Sequence, residues 1–90
     1  MAAVEYTLIP TDTFRDTLEE IRVEAYSLDP VTMAYKAGIE PDRYIDLERI
    51  RSRYEPRPQP ALEELQEWAK GWELPQILTN RLIKSAGYQT

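Results

Sequence analysis

The stretch that decides the fold is residues 28–49, LDPVTMAYKAGIEPDRYIDLER. Asp29 followed by Pro30 is typical of a helix start, because the carboxylate can accept the free amide hydrogens of the first turn and the proline ring already has a helical φ. Gly38 favours a left-handed helix end, and Pro41 begins another helix. The stretch therefore predicts two short helices joined by a tight turn, which is a helix-turn-helix corner.

Apolar residues recur at intervals of three and four on both sides of this corner, which is the period of an amphipathic helix. Residues 11–27 predict a first helix, and residues 61–70 and 75–86 predict a fourth and a fifth. The third helix is expected to run past Glu48 as far as Tyr54. The residues of the outer helices that are expected to face the core are Phe14, Leu18, Ile21, Ala25, Leu28, Leu62, Leu65, Trp68, Ala69, Trp72, Ile77, Leu78, Leu82 and Ala86.

The N-terminus differs from the rest, because Val4, Tyr6 and Leu8 alternate with polar residues. This pattern fits either a short strand that needs a partner or an extended arm that lies on the helices. The expected fold class is all-α: a compact four- to five-helix domain over residues 11–90 with a central helix-turn-helix. A short extended N-terminal arm over residues 1–10 precedes that domain.

Length and charge limit the functions that the chain can have. Ninety residues support one domain with one modest core, and sixteen acids against eleven bases give a net charge of -5. This excess of acid opposes non-specific attraction to nucleic acid or to an anionic membrane. Because no apolar run has the length of a membrane span and the N-terminus does not resemble a signal peptide, we expect a soluble, cytoplasmic protein with no membrane partner.

The composition also argues against catalysis. The chain has no cysteine and no histidine, which removes disulfides, thiolates and the commonest general base and metal ligand. Neighbouring carboxylates such as Glu19 and Glu20 point about 100° apart on a helix, so they do not form an acid/base pair. The three glycines are scattered and do not form a phosphate-binding loop. We therefore expect no enzyme, no catalytic residue, no metal and no cofactor.

Several segments resemble the Cro/cI-like (Xre-type) helix-turn-helix family in residue type and in spacing. The resemblance covers roughly residues 13–74 and implies that Glu48 and Arg49 act as structure, with the glutamate bonded inside the domain. The segments that carry it are Leu18-Glu19-Glu20-Ile21-Arg22, Leu28-Asp29-Pro30, Met33-Ala34, Ala37-Gly38-Ile39, Glu48-Arg49, and Pro60-Ala61-Leu62 with Leu65 and Trp68-Ala69-Lys70.

The resemblance implies a small transcriptional regulator that binds double-stranded DNA as a homodimer, with two third helices in successive major grooves. Arg43 would then read bases, and Arg49, Arg51, Arg53 and Arg57 would hold phosphates. The middle third of the chain is basic relative to the acidic first third, which agrees with this hypothesis. These arginines could instead pair with neighbouring acids as ordinary surface electrostatics.

The segregation of charge along the chain makes the regulator the expected function, and departures from the family pattern leave a second hypothesis as the alternative. Pro30 stands where members commonly have a glutamine that touches a phosphate, and Ile50 replaces the usual glycine after helix three. The start of that helix carries Glu40, Asp42 and Asp46, which a phosphate-lined groove would repel. The second hypothesis is an acidic protein-protein interaction module, derived from a helix-turn-helix, that presents these three residues to a basic, nucleic-acid-handling partner.

Overall fold

The computed structural model describes residues 14–52, 54–55 and 59–89. Within these ranges the chain forms five helices and no strand, so the predicted all-α class with four to five helices is confirmed. The predicted arm over residues 1–10 lies outside the described residues. In the described part of the chain, every helix is too short or too polar to cross a membrane.

The helices lie close to the predicted positions, and loops of a few residues join the first three. The first helix, α1, consists of α-helical residues 14–20 followed by a π-helical segment. The remaining bounds are Ile21–Tyr26 for the π-helical part of α1, Pro30–Ala37 for α2, Pro41–Glu48 for α3, Leu62–Gly71 for α4 and Gln76–Ser85 for α5.

Helices α2 and α3 form the predicted corner. The Asp29 carboxylate caps α2, because it accepts hydrogen bonds from the Thr32 hydroxyl at 2.6 Å and from the Thr32 amide at 3.4 Å. Gly38 ends α2 with a φ of 72°, a left-handed conformation that glycine adopts without strain. Ile39 follows directly and is buried, so the chain enters the core between the two helices.

The core lies beneath this corner and joins all five helices. Trp72 is central to it: the indole N–H donates to the Met33 carbonyl at 2.8 Å, and the Tyr44 ring meets Trp72 edge to face at 6.2 Å. The prediction that Trp68 and Trp72 are core residues is confirmed. Buried apolar residues from every helix complete the cluster: Phe14, Leu18, Ile21, Met33, Ala34, Ile39, Tyr44, Leu47, Leu65, Trp68, Trp72, Leu82, Ile83 and Ala86.

Gly71 sets how closely α4 approaches α2. A Cβ atom at this position would lie 2.7 Å from the Lys36 carbonyl oxygen and 2.8 Å from the Ala37 Cα. Both atoms belong to the backbone and cannot rotate away. The glycine is therefore required for the contact between these helices. The residue with a left-handed backbone conformation after α4 is Glu73, with a φ of 56°.

The prediction that Ala25 faces the core is wrong, because the second half of α1 is π-helical and its turns are wider than those of an α-helix. With hydrogen bonds from i to i+5, the residue below Ile21 is Tyr26 instead of Ala25. Tyr26 packs against the core, and its hydroxyl donates to the Trp72 carbonyl.

The prediction that α3 continues to Tyr54 is also wrong, since the helix ends at Glu48. The backbone of Arg49 is already extended, with a φ of -65° and a ψ of 136°, so the chain leaves the helix before Ile50, which is 76% exposed. A backbone carbonyl in the last turn of the helix is hydrogen-bonded by a residue beyond the helix, because the Arg51 guanidinium donates to the Asp46 carbonyl at 2.8 Å.

The inward face of α5 differs from the prediction at Ile77 and at Ile83, which is buried although it was not expected inside, and Leu78 is only partly buried. Ile77 was expected inside and is 71% exposed. The face that packs on the core consists of Leu82, Ile83 and Ala86, and Ile77 lies about 180° from its centre on a regular helix.

Candidate interaction surface on the third helix

Helix α3 has one buried side and one exposed side. Tyr44 and Leu47 are buried in the core. Asp42, Ile45 and Asp46 are exposed, and their spacing of three and four places them on one side of the helix. Both hypotheses depend on this exposed side, since it is where a DNA groove or a protein partner would have to bind.

Arg43, the predicted base-reading residue, is bound to α4. Its guanidinium donates to the two Glu64 carboxylate oxygens at 2.7 and 3.0 Å and lies 5.2 Å from the centroid of the Trp68 ring. This hydrogen bonding from Arg43, together with the Ala61 amide at 3.1 Å, lowers the pKa of Glu64 to about 2. Arg43 would have to leave both partners before it could contact a base.

Arg49 and Arg51, two predicted phosphate contacts, belong to a chain of ion pairs that we call the ion-pair ladder: Asp46, Arg49, Arg51 and Glu55. Arg49 binds Asp46 at 3.3 Å and Glu55 at 3.2 Å, and Arg51 binds Asp46 at 2.6 Å. The hydrogen bond from Arg51 is the main cause of the lowered pKa of Asp46. Two acids and two bases thus cancel at the C-terminal end of α3.

The same pattern holds for all the arginines that the structure describes. Each of them forms an ion pair with at least one carboxylate, so the alternative of pairing with neighbouring acids is observed for Arg49 and Arg51, whereas Arg43 pairs with the distant Glu64. Arg53 and Arg57 lie outside the described residues. The pairs are Arg15 with Asp16 and Glu19, Arg22 with Glu48, Arg43 with Glu64, Arg49 with Asp46 and Glu55, Arg51 with Asp46, and Arg81 with Glu20.

The acids at the other end of α3 are in a different state. Glu40 and Asp42 are exposed, and neither has an ion-pair partner among the residues that the structure describes. Asp42 lies in the first turn, where the helix dipole stabilises a negative charge. Of the three acids predicted to meet a partner, only Asp46 is neutralised. The N-terminal end of α3 is therefore acidic, and the C-terminal end is neutral.

The buried side of α3 is held by a polar network that the sequence did not reveal. Arg22 of α1 binds both Glu48 oxygens at 2.9 and 3.0 Å, and its third nitrogen donates to the Leu28 carbonyl at 2.9 Å. The Tyr44 hydroxyl also donates to Glu48. Burial and this hydrogen bond raise the pKa of Tyr44, and the bond with Glu48 raises the pKa of Arg22.

This network confirms that Glu48 is bonded inside the domain. Its partner was not identified because Arg22 lies 26 residues earlier, and no local spacing connects the two. The only available signal was that both residues belong to segments that carry the family resemblance. The network fixes the orientation of α3 relative to α1, and it thereby determines which α3 residues face solvent.

Comparison with known proteins adds no further constraint on the function. No family model, curated protein or solved structure matches this chain. The resemblance to the Cro/cI-like helix-turn-helix family therefore stays a prediction. Because one fold supports many functions, the role of this chain has to be inferred from the residues that it exposes.

Proposed function

We propose that this chain is a protein-protein interaction module that binds a basic, nucleic-acid-handling partner through the acidic N-terminal end of α3. One observation carries the proposal: Arg43, Arg49 and Arg51 are each bound to a carboxylate, whereas Glu40 and Asp42 have no ion-pair partner among the described residues. The exposed side of α3 therefore offers net negative charge, which attracts lysine and arginine side chains.

The electrostatics of the surface favour a protein over DNA. A phosphate would have to displace Glu64 from Arg43 and Asp46 from Arg51, and the exposed Asp42 carboxylate on the same helix would repel it. The net charge of -5 has the same unfavourable sign.

A basic partner meets none of these obstacles, because it can bind the acids at the start of α3 while the existing ion pairs stay in place. Proteins that handle nucleic acid carry clustered lysine and arginine on the face that binds phosphates. Such a face is complementary in charge to the acidic end of α3. This chain and DNA would then compete for the same face of the partner.

A second candidate is the DNA-binding transcriptional regulator implied by the family resemblance. The exposed side of α3, directly after a helix-turn-helix corner, favours it, since this is the part of such folds that enters a major groove. This candidate requires Arg43, Arg49 and Arg51 to exchange carboxylates for phosphates, and it requires a homodimer to set two α3 helices in successive grooves.

A titration followed by NMR separates the two candidates. A short oligolysine peptide or a random-sequence DNA duplex is added to the 15N-labelled chain at low salt, and the amide and arginine side-chain resonances are followed. We expect the oligolysine to move the resonances of Glu40 and Asp42 most. Asp42→Asn should weaken this binding several-fold, whereas Glu67→Gln, which removes an exposed acid from α4, should leave it unchanged.

Three outcomes would overturn the proposal. In the first, duplex DNA moves the side-chain resonances of Arg43, Arg49 and Arg51, and added salt reverses the effect, as phosphate contacts require. In the second, Asp42→Asn and Glu67→Gln weaken the oligolysine complex equally, which would mean that net charge alone is recognised. In the third, oligolysine moves no resonance of α3 even at low salt.

A further inference from the structure

We propose that a groove between α1 and α5 binds a lysine side chain of a protein partner. The aliphatic stem of that lysine lies on Ile21, Ala25 and Leu78, and its ammonium group pairs with Glu24. This inference goes beyond the proposed function, because the groove is a second site that does not use the acidic end of α3.

The groove is lined by residues of both helices. Its volume is about 160 Å³, and since a cavity of about 150 Å³ accepts a benzene-sized group, the groove has room for one side chain. An ion pair joins the two helices here, because the Arg81 guanidinium of α5 binds the Glu20 carboxylate of α1 at 2.8 Å. The residues that line the groove are Glu20, Ile21, Glu24 and Ala25 of α1, and Leu78 and Arg81 of α5.

The α1 wall of the groove belongs to the π-helical segment Ile21–Tyr26. In this segment Tyr26 packs against the core, whereas Ala25 is exposed at the groove. The side chain of Ala25 is a single methyl group, so it leaves space that a larger residue would fill. Short π-helical segments are frequent at functional sites, which agrees with a binding role for this part of α1.

The groove combines apolar surface with one negative charge that is not compensated. Ile21, Ala25 and Leu78 supply the apolar surface. Glu20 is paired with Arg81, whereas Glu24 is exposed and has no ion-pair partner among the residues that the structure describes. A lysine side chain matches both features, because its aliphatic stem packs on apolar surface while its ammonium group remains in contact with water and with a carboxylate.

The surroundings of the groove favour a basic protein segment as the source of this lysine. A second depression on α1 adjoins the groove, and its lining residues are Asp16, Glu19, Glu20, Val23 and Glu24. Among the described residues, two arginines pair with these four acids, Arg15 and Arg81. A free amine would use the groove alone, whereas further basic residues of a protein segment also meet these acids.

The chain itself offers poorer occupants. A second copy carries a net charge of -5, which opposes its approach to an acidic surface. Residues 1–10 contain one acid and no lysine or arginine, so they cannot supply the positive side chain. Charge complementarity therefore selects a basic segment of another protein.

The groove and α3 lie on different sides of α1. Arg22 extends from α1 to Glu48 of α3, which it binds at 2.9 and 3.0 Å. Glu20 and Glu24 are two residues before and two residues after Arg22, which corresponds to roughly half a turn of helix. Both therefore lie on the side of α1 away from α3, and the two sites can be tested separately.

The test is an NMR titration of the methyl-labelled full chain with n-butylammonium, which has the stem and the charge of a lysine side chain. Methylammonium supplies the charge without the stem, and 1-butanol supplies the stem without the charge. We expect butylammonium to shift the methyl resonances of Ala25 and Leu78 saturably. Its affinity should be about tenfold higher than that of methylammonium, because several methylene groups are buried. The affinity of 1-butanol should also be lower, because it cannot pair with Glu24.

A blocked peptide with three lysines separated by serines tests the source of the amine. At low salt it should bind the groove more tightly than butylammonium, since its other lysines meet the acids of α1. High salt should remove this advantage, because contacts between exposed charges are screened.

Matched variants locate the site. Glu24→Gln should weaken butylammonium binding several-fold, whereas Glu67→Gln on α4 should leave it unchanged. Ala25→Leu should abolish the binding, because the larger side chain fills the groove. All three positions are exposed, so the variants should fold, which thermal melting checks. If Ala25→Leu does not fold, the comparison of Glu24→Gln with Glu67→Gln still decides.

Several results would overturn the inference. Equal affinities for butylammonium and methylammonium would mean that the stem is not bound, and equal effects of Glu24→Gln and Glu67→Gln would mean that Glu24 is not the partner. A three-lysine peptide that binds the groove no more tightly than butylammonium would exclude a protein segment.

The other occupants have their own signatures in the free chain. Resonances of Ala25 and Leu78 that change with protein concentration would identify a second copy, and resonances that change on Tyr6→Ser would identify the N-terminal residues. Either result would overturn the inference. Asp42→Asn should leave the groove resonances and their response to butylammonium unchanged, so failure at the groove does not decide the proposed function at α3.

Discussion

The two sides of α3 use the same chemistry in different surroundings. On the buried side, Arg22 and Glu48 form an ion pair whose side chains are only 15% and 11% exposed. On the outer side, the Arg49 side chain is 47% exposed and its partners Asp46 and Glu55 are 51% and 43% exposed. Water can replace a lost partner on the outer side but not on the buried side. The buried pair therefore holds the fold, while the outer pairs add little to its stability.

The largest effect is expected when the buried pair is broken. Glu48→Ala should lower the free energy of unfolding by about 3 to 5 kcal/mol, because it leaves Arg22 charged and unpaired and removes the acceptor of the Tyr44 hydroxyl. Urea denaturation at neutral pH measures this. Glu55→Ala on the outer side is the matched control. A loss below about 1 kcal/mol for Glu48→Ala would contradict the contrast between the two sides.

The second-largest effect tests whether stability also depends on close packing between the backbones of α4 and α2. Gly71→Ala should lower the free energy of unfolding by about 1 to 3 kcal/mol, since the new Cβ would lie 2.7 Å from the Lys36 carbonyl oxygen. Helix propensity alone predicts the opposite sign, a gain of about 1 kcal/mol. Chemical denaturation therefore distinguishes the two effects by the sign of the change in the free energy of unfolding. Any stabilisation by Gly71→Ala would refute the close contact.

The Arg43–Glu64 ion pair lies on the surface, and its contribution to stability depends on pH. The pKa of Glu64 lies at about 2, below its usual 4.5, so its contribution to stability is complete above about pH 4.5 and is lost as the pH falls through about 2. Because both side chains are more than a third exposed, we expect less than about 1 kcal/mol.

The measurement is the difference in unfolding free energy between the wild type and Glu64→Gln, taken at several pH values between neutral and strongly acidic. The difference should shrink as the pH falls. A difference that stayed constant throughout this range would mean that Arg43 does not stabilise the charged form of Glu64.

The smallest effect is expected at the ion-pair ladder. Arg49→Ala should change the free energy of unfolding by less than about 0.5 kcal/mol, because its partners are exposed and can be solvated. Thermal and urea denaturation check this prediction. A loss above about 1 kcal/mol would mean that the ladder is part of the fold, and it would contradict the contrast between the two sides of α3.

The sequence was most informative where the cause of a structure is local. Asp29 and Pro30 start α2 and Gly38 ends it, as expected, because each acts on backbone atoms within a few residues. It was least informative where helix geometry or packing changed. Ala25 is exposed because the end of α1 is π-helical, and Ile50 is exposed because α3 ends before reaching it.

The candidate site follows the same division. The sequence identified the acidic start of α3, and Glu40 and Asp42 are exposed there. It offered pairing with neighbouring acids as an alternative, which Arg49 and Arg51 adopt with Asp46 and Glu55, but it did not identify the partner of Arg43. Arg43 meets Glu64 from 21 residues away, and that contact exists only because α4 packs beside α3.

The sequence by itself therefore determined the five helices, the corner and the sign of the net charge, since propensity, capping and composition need no tertiary contact. Only the tertiary structure decided which charges on α3 are cancelled and which remain available. The physical reason is that the strength of a charge at a surface depends on burial and on the nearest opposite charge, and both depend on how the rest of the folded chain is arranged around it.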